Sequence, residues 1–323
     1  MHVHKNLEAL RVAVPYIRAY AGRVFVVKLG GGVCSPGRVL DNLVDQLALL
    51  HHLGIKLIVV HGGGEQANEL SARLGHKPEI FAGRRITDDA TLEVVKMAFA
   101  GTTNTDLVAA FRKVKIPAIG LSGVDAGLVC AQKRPPKNLH DPSTGQHRTV
   151  DFGHVGDITG VNGDALRRLL DNGFLPVIAS LAADEEGHVL NINADTIAAR
   201  IALTVGAAKY FAVTNVDGVL RNPADPRTLQ TYLDIEQLDA LIESGVIAGG
   251  MLPKLEACKD ALRGGVARVH IVNGLTPDTI LGEVFTNEGC GTLLVEKRED
   301  ATNGANTRNA TPSVTGEIEK VTS

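Results

Sequence analysis

Four short stretches, three of them bearing glycines, carry charged or amide side chains at spacings suited to holding an anion. Lys28-Leu29-Gly30-Gly31 and His61-Gly62-Gly63-Gly64 each close an apolar run, "RVFVV" and "IKLIVV". Asn191-Ile192-Asn193-Ala194-Asp195 precedes the helical pattern "TIAARIALTVG", and Gly249-Gly250-Met251-Leu252-Pro253-Lys254 opens a second one, "LEACKDAL". Backbone N–H groups of glycine-rich turns and helix N-termini can reach phosphoryl oxygens with no side chain in the way. The histidine-glycine loop lacks the lysine and Ser/Thr that end a P-loop, so cationic charge must come from elsewhere. Lys28 and Lys254 are the candidates, and Asp195 could hold both ammonium groups by charge-assisted hydrogen bonds. Phosphoryl transfer suits such a set, because it needs positioning and charge stabilisation more than covalent chemistry.

Each residue also has an ordinary use. Lys28 alone could be a solvated strand-end lysine, and the glycines could be turn residues. Asn193 or Asp195 could simply cap a helix. Lys254 fits an ordinary use poorly, since a cation in the first turn opposes the helix dipole. Any one signal is weak, and the combination is not.

These residues need a frame that brings strand ends and helix starts together. Leu7, Leu10, Val14 and Ile17 recur at helical spacing before the first strand, so an amphipathic helix leads the chain. Helices are then expected over about 39–53, 65–74, 89–99, 106–114 and 164–172, alternating with strands at "IKLIVV", "PAIGL" and "FLPVIAS". A second set follows from about Lys209: strands "KYFAVTNV", "ARVHIVNG" and "GTLLVE", and helices over about 235–244, 252–263 and 278–285. Such alternation implies an α/β fold with a mainly parallel sheet, and ligands of such sheets bind at the carboxyl ends of the strands. The stretch from Cys130 to Val150, rich in proline and polar groups, reads as an exposed loop or β-hairpin insertion. The segment 299–323 has few large apolar residues and is expected to be disordered.

The 323 residues are 44% hydrophobic and 21% charged with a net charge of −3, ordinary values for a globular enzyme-sized chain. This charge points to neither nucleic acid nor a membrane surface, and aromatics at 4% argue against base stacking. No apolar run approaches a membrane span, and the start lacks a secretory h-region. Cys34, Cys130, Cys258 and Cys290 are scattered, as expected of reduced thiols in a cytoplasmic protein.

The ordered motifs "KLGG", "VVHGGG", "GRRIT" at 83–87, "NINAD" and "GGMLPK" resemble those of the N-acetylglutamate kinases, a branch of the amino acid kinase family. The likeness runs from about Arg23 to Glu296. It implies a three-layer αβα sandwich in two lobes: 1–21 as an oligomerisation helix, 22–208 for the acyl amino acid and 209–298 for ATP. The activity it implies is ATP-dependent phosphorylation of the γ-carboxylate of N-acetyl-L-glutamate. Lys28 and Lys254 would stabilise the transition state and Asp195 would organise them. Gly63 and Gly64 would contact substrate or phosphate, Arg85 the acceptor's α-carboxylate, and Asn191 its acetylamino moiety. Gly30, Gly31, Thr214, Asn215 and Met251 would lie against ATP, whose Mg²⁺ would be held by phosphates and water rather than by a protein cage. A carboxylate acceptor is already ionised at neutral pH, so neither Asp195 nor His61 is needed as a base.

The leading helix resembles the extension of arginine-inhibited, hexameric members, which implies a homo-oligomer, a dimer or a trimer of dimers. Tyr16, His270, Glu283 and Gly289 would then surround an L-arginine effector. Asn215 and Asn273 stand where the family more often has aspartate. Two other readings remain open: a kinase of another acyl amino acid, such as N-succinylglutamate or a carrier-linked aminoadipate, and a non-catalytic arginine-binding homologue.

Overall fold

A computed structural model describes residues 2–81, 84–140, 145, 147–222, 224–247, 249–286 and 288–297. The segment expected to be disordered, 299–323, lies outside the described residues.

The chain begins with α1 (His2–Tyr20), which leads through a turn into β1 (Val24–Leu29). Alternation follows as α2 (Arg38–His52), β2 (Lys56–His61) and α3 (Gly64–Arg73). A two-residue hairpin, β3 (Ile80–Phe81) and β4 (Arg84–Arg85), precedes α4 (Asp89–Lys96). A π-helical stretch, Met97–Thr103, joins α4 to α5 (Asn104–Lys113), so the two helices expected over 89–114 form one bulged rod. Then come β5 (Ala118–Ser122), β6 (Val129–Lys133), the hairpin β7 (Lys137–His140) and β8 (His147–Val150), and β9 (Gly156–Val161). The first half closes with α6 (Gly163–Asp171), β10 (Leu175–Ala179), β11 (Leu181–Ala183), β12 (Val189–Asn191) and α7 (Ala194–Val205). The remainder is β13 (Lys209–Thr214), β14 (Tyr232–Asp234), α8 (Ile235–Glu243), α9 (Met251–Arg263), β15 (Val269–Asn273), α10 (Thr279–Phe285) and β16 (Thr292–Val295).

The central sheet has the order β14-β16-β15-β13-β1-β2-β10-β5. Every neighbouring pair in it is parallel except β15 with β16. Its strands read as continuous apolar runs because both faces are covered. Val26, Ile58, Val60, Ile178 and Tyr210 point into one core with α6, α7, α8 and α9. Phe25, Val27, Leu57, Val59 and Phe211 point into the other with α2, α5 and α10. That period of two makes three layers. A second sheet, β12-β11-β6-β9, flanks the first core. The insertion after Cys130 therefore contributes both a strand of this small sheet and the β7–β8 hairpin, which packs Val150 against Phe81 and Phe152.

Candidate active site

The strand order turns at β1, which has β2 on one side and β13 on the other, and side chains from its carboxyl end meet two helices there. Lys28 shares a face with Val26, toward α7 and α9. Its Nζ lies 3.1 Å from Oδ2 of Asp195 in the first turn of α7, while Lys254 Nζ, from the first turn of α9, lies 2.9 Å from Oδ1. Asn193 does the capping of α7, its Oδ1 accepting from the N–H groups of Asp195 and Thr196, which leaves the Asp195 carboxylate to the lysines. The three charged residues are only 7%, 8% and 8% exposed. Burial is the largest influence on Lys28 and draws its pKa down, helped by the charge on Lys254 and opposed by Asp195. Burial also acts against the charge of Lys254, but Asp195 overcomes it and holds that pKa above the ordinary value. Asp195 is kept below the usual carboxylate range because the two lysines outweigh its burial. Two ammonium groups on one carboxylate leave a net positive charge in a buried site. Buried ion clusters are poor stabilisers, so this one is better explained by an anion it receives.

The glycine loops supply neutral donors beside that charge. An added Cβ on Gly31 would lie 3.4 Å from the Gly64 nitrogen, so the two loops touch, and Gln66 Nε2 ties them by donating to the Gly31 carbonyl at 3.0 Å. Both α3 and α9 start behind a glycine, Gly63 and Gly250, with no side-chain cap. This leaves the first N–H groups of α3 for a ligand. In α9, Pro253 has no N–H and Leu252 donates to the Gly249 carbonyl at 3.2 Å, so the donor left at its start is Met251. Gly63 is sterically obligatory: a Cβ there would meet Phe99 Cδ1 at 2.7 Å. Gly30 packs closely on the Val213 carbonyl, whereas Gly64 faces open space. His61 is fully buried, its pKa pushed down to about 4 by burial, and it is engaged by Gly62 and Asn104. It is neutral and held in place by these two contacts.

Arg85 and Asn191 stand on a second wall. Arg85 Nη2 donates to the Gly64 carbonyl at 3.1 Å and to Asn68 Oδ1, while its Nη1 is buried without a hydrogen-bond partner. Burial lowers its pKa. An orphaned guanidinium edge of this kind suits a carboxylate. Asn191 Nδ2 donates to Thr87 Oγ1 at 3.1 Å, and the Thr87 backbone is bonded to residues 152 and 154. Asn68, Gln66, Thr87 and Asn104 were not singled out in the sequence; each is an ordinary polar residue whose partners become visible only in the fold.

Thr214 ends β13, buried, with the exposed Asn215 next to it, and Met251 is the half-buried first residue of α9, one turn from Lys254. Asn273 donates to Asp217 Oδ1 at 2.7 Å beyond the end of β13. His270 and Glu283 meet at 2.8 Å in the opposite core, both buried. Glu283 also accepts from the N–H groups of Cys290 and Gly291. Gly289, at positive φ, and Tyr16, half-buried on α1, belong to neighbouring segments, since α1 packs on α10.

Residues 23–273 match the amino acid kinase family. The acetylglutamate kinase of Myxococcus xanthus is 42% identical, over 92% of this chain and 96% of its own length. The chain belongs to the amino acid kinase family. Another member, the acetylglutamate kinase of Archaeoglobus fulgidus, is 40% identical over 90% of this chain and 99% of its own. Among solved structures, N-acetylglutamate synthase from Neisseria gonorrhoeae with coenzyme A and N-acetyl-glutamate superposes with a TM-score of 0.77 at 29% identity, over 91% of this chain and 64% of that one. The same synthase with coenzyme A and L-arginine gives 0.74 at 27%, over 90% and 65%. Carbamate kinase from Giardia lamblia bound to AMP-PNP gives 0.60 at 18%, over 86% and 100%, which marks a shared amino acid kinase fold. Among the described residues no helix is long and apolar enough to cross a membrane.

Proposed function

We propose that this amino acid kinase transfers the γ-phosphoryl group of ATP to the γ-carboxylate of N-acetyl-L-glutamate, forming an acyl phosphate. The observation that carries the reading is the buried Lys28–Asp195–Lys254 cluster, whose net positive charge lies beside the glycine loop that opens the uncapped start of α3. In this reading Lys28 and Lys254 neutralise charge on the transferring group from two sides, and Asp195 fixes their spacing. Gly30, Gly31, Gly63 and Gly64 give backbone donors. The orphaned Nη1 of Arg85 takes the acceptor's α-carboxylate and Asn191 its acetylamino group, while Thr214, Asn215 and Met251 border the nucleotide. The γ-carboxylate attacks phosphorus as ADP leaves, and no proton has to move, which agrees with a neutral His61 and a doubly engaged Asp195.

Both Asp195 oxygens are already taken by ammonium groups, so this carboxylate suits a lysine holder rather than a metal ligand. Mg²⁺ would enter with ATP, held by phosphate oxygens and water, and would offset phosphate charge. Feedback control by L-arginine is part of the proposal, supported by the likeness to an arginine-bound synthase and by α1 lying against α10 beside His270 and Glu283. Assembly through α1 into a dimer or hexamer belongs with it.

The test is an ATP-dependent hydroxamate assay, which traps acyl phosphate, run with N-acetylglutamate, N-succinylglutamate and N-acetylaspartate. Product with N-acetylglutamate above the others supports the reading. Product chiefly with N-succinylglutamate moves the specificity, and none from any of the three overturns the kinase assignment.

A further inference from the structure

Asn104, the first residue of α5, points its side-chain amide at three acceptors: His61 Nε2 at 3.0 Å, the Val177 carbonyl at 2.9 Å and the Leu121 carbonyl at 3.2 Å. The two carbonyls can only accept, so they fix which end of the amide faces inward, and that end is the NH₂. The NH₂ has two hydrogens for three acceptors and its nitrogen cannot accept, so an Nε2–H would oppose it. His61 Nε2 is therefore unprotonated and shares an amide hydrogen, which leaves the imidazole proton on Nδ1, 2.7 Å from the Gly62 carbonyl. We propose that Asn104 is a positioning residue for phosphoryl transfer, setting the His61 tautomer so that Nδ1–H holds the Gly62 carbonyl and aims the Gly63 and Gly64 N–H groups into the site. The two strands that carry these carbonyls, β10 next to β2 and β5 beyond it, thus reach the glycine loop through one amide. The fold makes room for it: a Cβ on Gly120 would lie 2.1 Å from Asn104 Oδ1, so a side chain there is incompatible with the amide as placed. The π-helical stretch that ends at Thr103 delivers Asn104 to this spot and sets Phe99 against Gly63.

The titration of His61 is shaped by burial and by its hydrogen bond to Gly62, so in the native protein the neutral tautomer persists through the working pH range. Asn104→Asp replaces the donor with a carboxylate. At neutral pH the His61 proton then moves to Nε2, and the Gly62 carbonyl loses its donor. As pH falls and the imidazole–carboxylate pair takes up a proton, Nδ1–H returns.

The proposal rests on the glycine loop's being a wall of the kinase site, and its test separates the two. Nitrogen NMR of the resting protein is expected to show His61 protonated at Nδ1 in the native chain and at Nε2 in N104D near neutral pH, whether or not the chain is active. For activity, kcat of N104D relative to native is expected to be about ten- to a hundredfold lower at neutral pH and to recover as pH falls, with little change in KM. His61→Asn places an amide N–H near the position of Nδ1, and in that background Asn104→Asp should lose its pH-dependent part. An Nε2-protonated His61 in the native chain overturns the relay. So does a folded N104D variant with a pH-independent activity ratio, or the same pH dependence in the H61N background. Absence of acyl phosphate from the native protein sinks the kinase reading and leaves the tautomer result standing.

Discussion

At the scale of single residues, the two site lysines are unequal although they share one carboxylate. Lys28 is drawn down chiefly by burial and Lys254 is held up by Asp195, so Lys28 is the first to lose its charge on the alkaline side. Activity is therefore expected to fall with rising pH at a lower pH than an ordinary lysine would give. Lys28→Arg keeps its charge throughout, so this variant should work more slowly but with a flatter alkaline limb, as a pH–kcat profile will show. Identical limbs in the two proteins would exclude Lys28 from that titration. These residues were legible in sequence because a lysine or an aspartate beside glycines at a strand end or helix start is a local signal. Asn104 was not, because its partners lie 17, 43 and 73 residues away.

At the scale of elements, the glycine loops work through close packing. Gly63→Ala drives a methyl into Phe99, so kcat should drop about a hundredfold, and adding Phe99→Ala should return part of it. No recovery in the double variant would locate the damage elsewhere. On the other face, β13 begins with Lys209, buried between the ring nitrogen of His270, the Glu283 carbonyl and the ring of Tyr20. Burial, aided by Arg268 and opposed by Glu283, takes its pKa down to about 7. Between about pH 7 and about pH 10 the unfolded chain holds a proton that the folded chain has released, so this group makes stability rise with pH there. Urea unfolding at several pH values should show a native-minus-Lys209→Met difference growing by up to about 1 kcal/mol per pH unit. The elements that carry these sites were readable from apolar runs and helical periodicity to within a residue or two. The small sheet was not: β11 and β12 are three residues each, too short for any period. The π-helical stretch has no apolar pattern that distinguishes it from the α-helices it joins.

At the scale of the molecule, the proposed site draws on three parts of the fold: Lys28 comes from the central sheet, the proposed acceptor wall from β4 and β12 of two smaller sheets, and the second lysine from α9 in the other half of the chain. The effector reading attaches to the opposite face, through α1 and α10. Deleting residues 1–21 is expected to leave kcat within about twofold while abolishing inhibition by millimolar arginine and reducing the assembly seen by light scattering. A truncated protein still inhibited by arginine would detach α1 from control. The central claim, that charge from both halves converges on the transferring group, is tested most directly by single-turnover acyl phosphate formation in native protein and Lys254→Ala, with nucleotide binding measured in parallel. The expected result is a variant that still binds ATP but forms acyl phosphate at least about a hundredfold more slowly. A variant that forms it at the native rate would contradict the account.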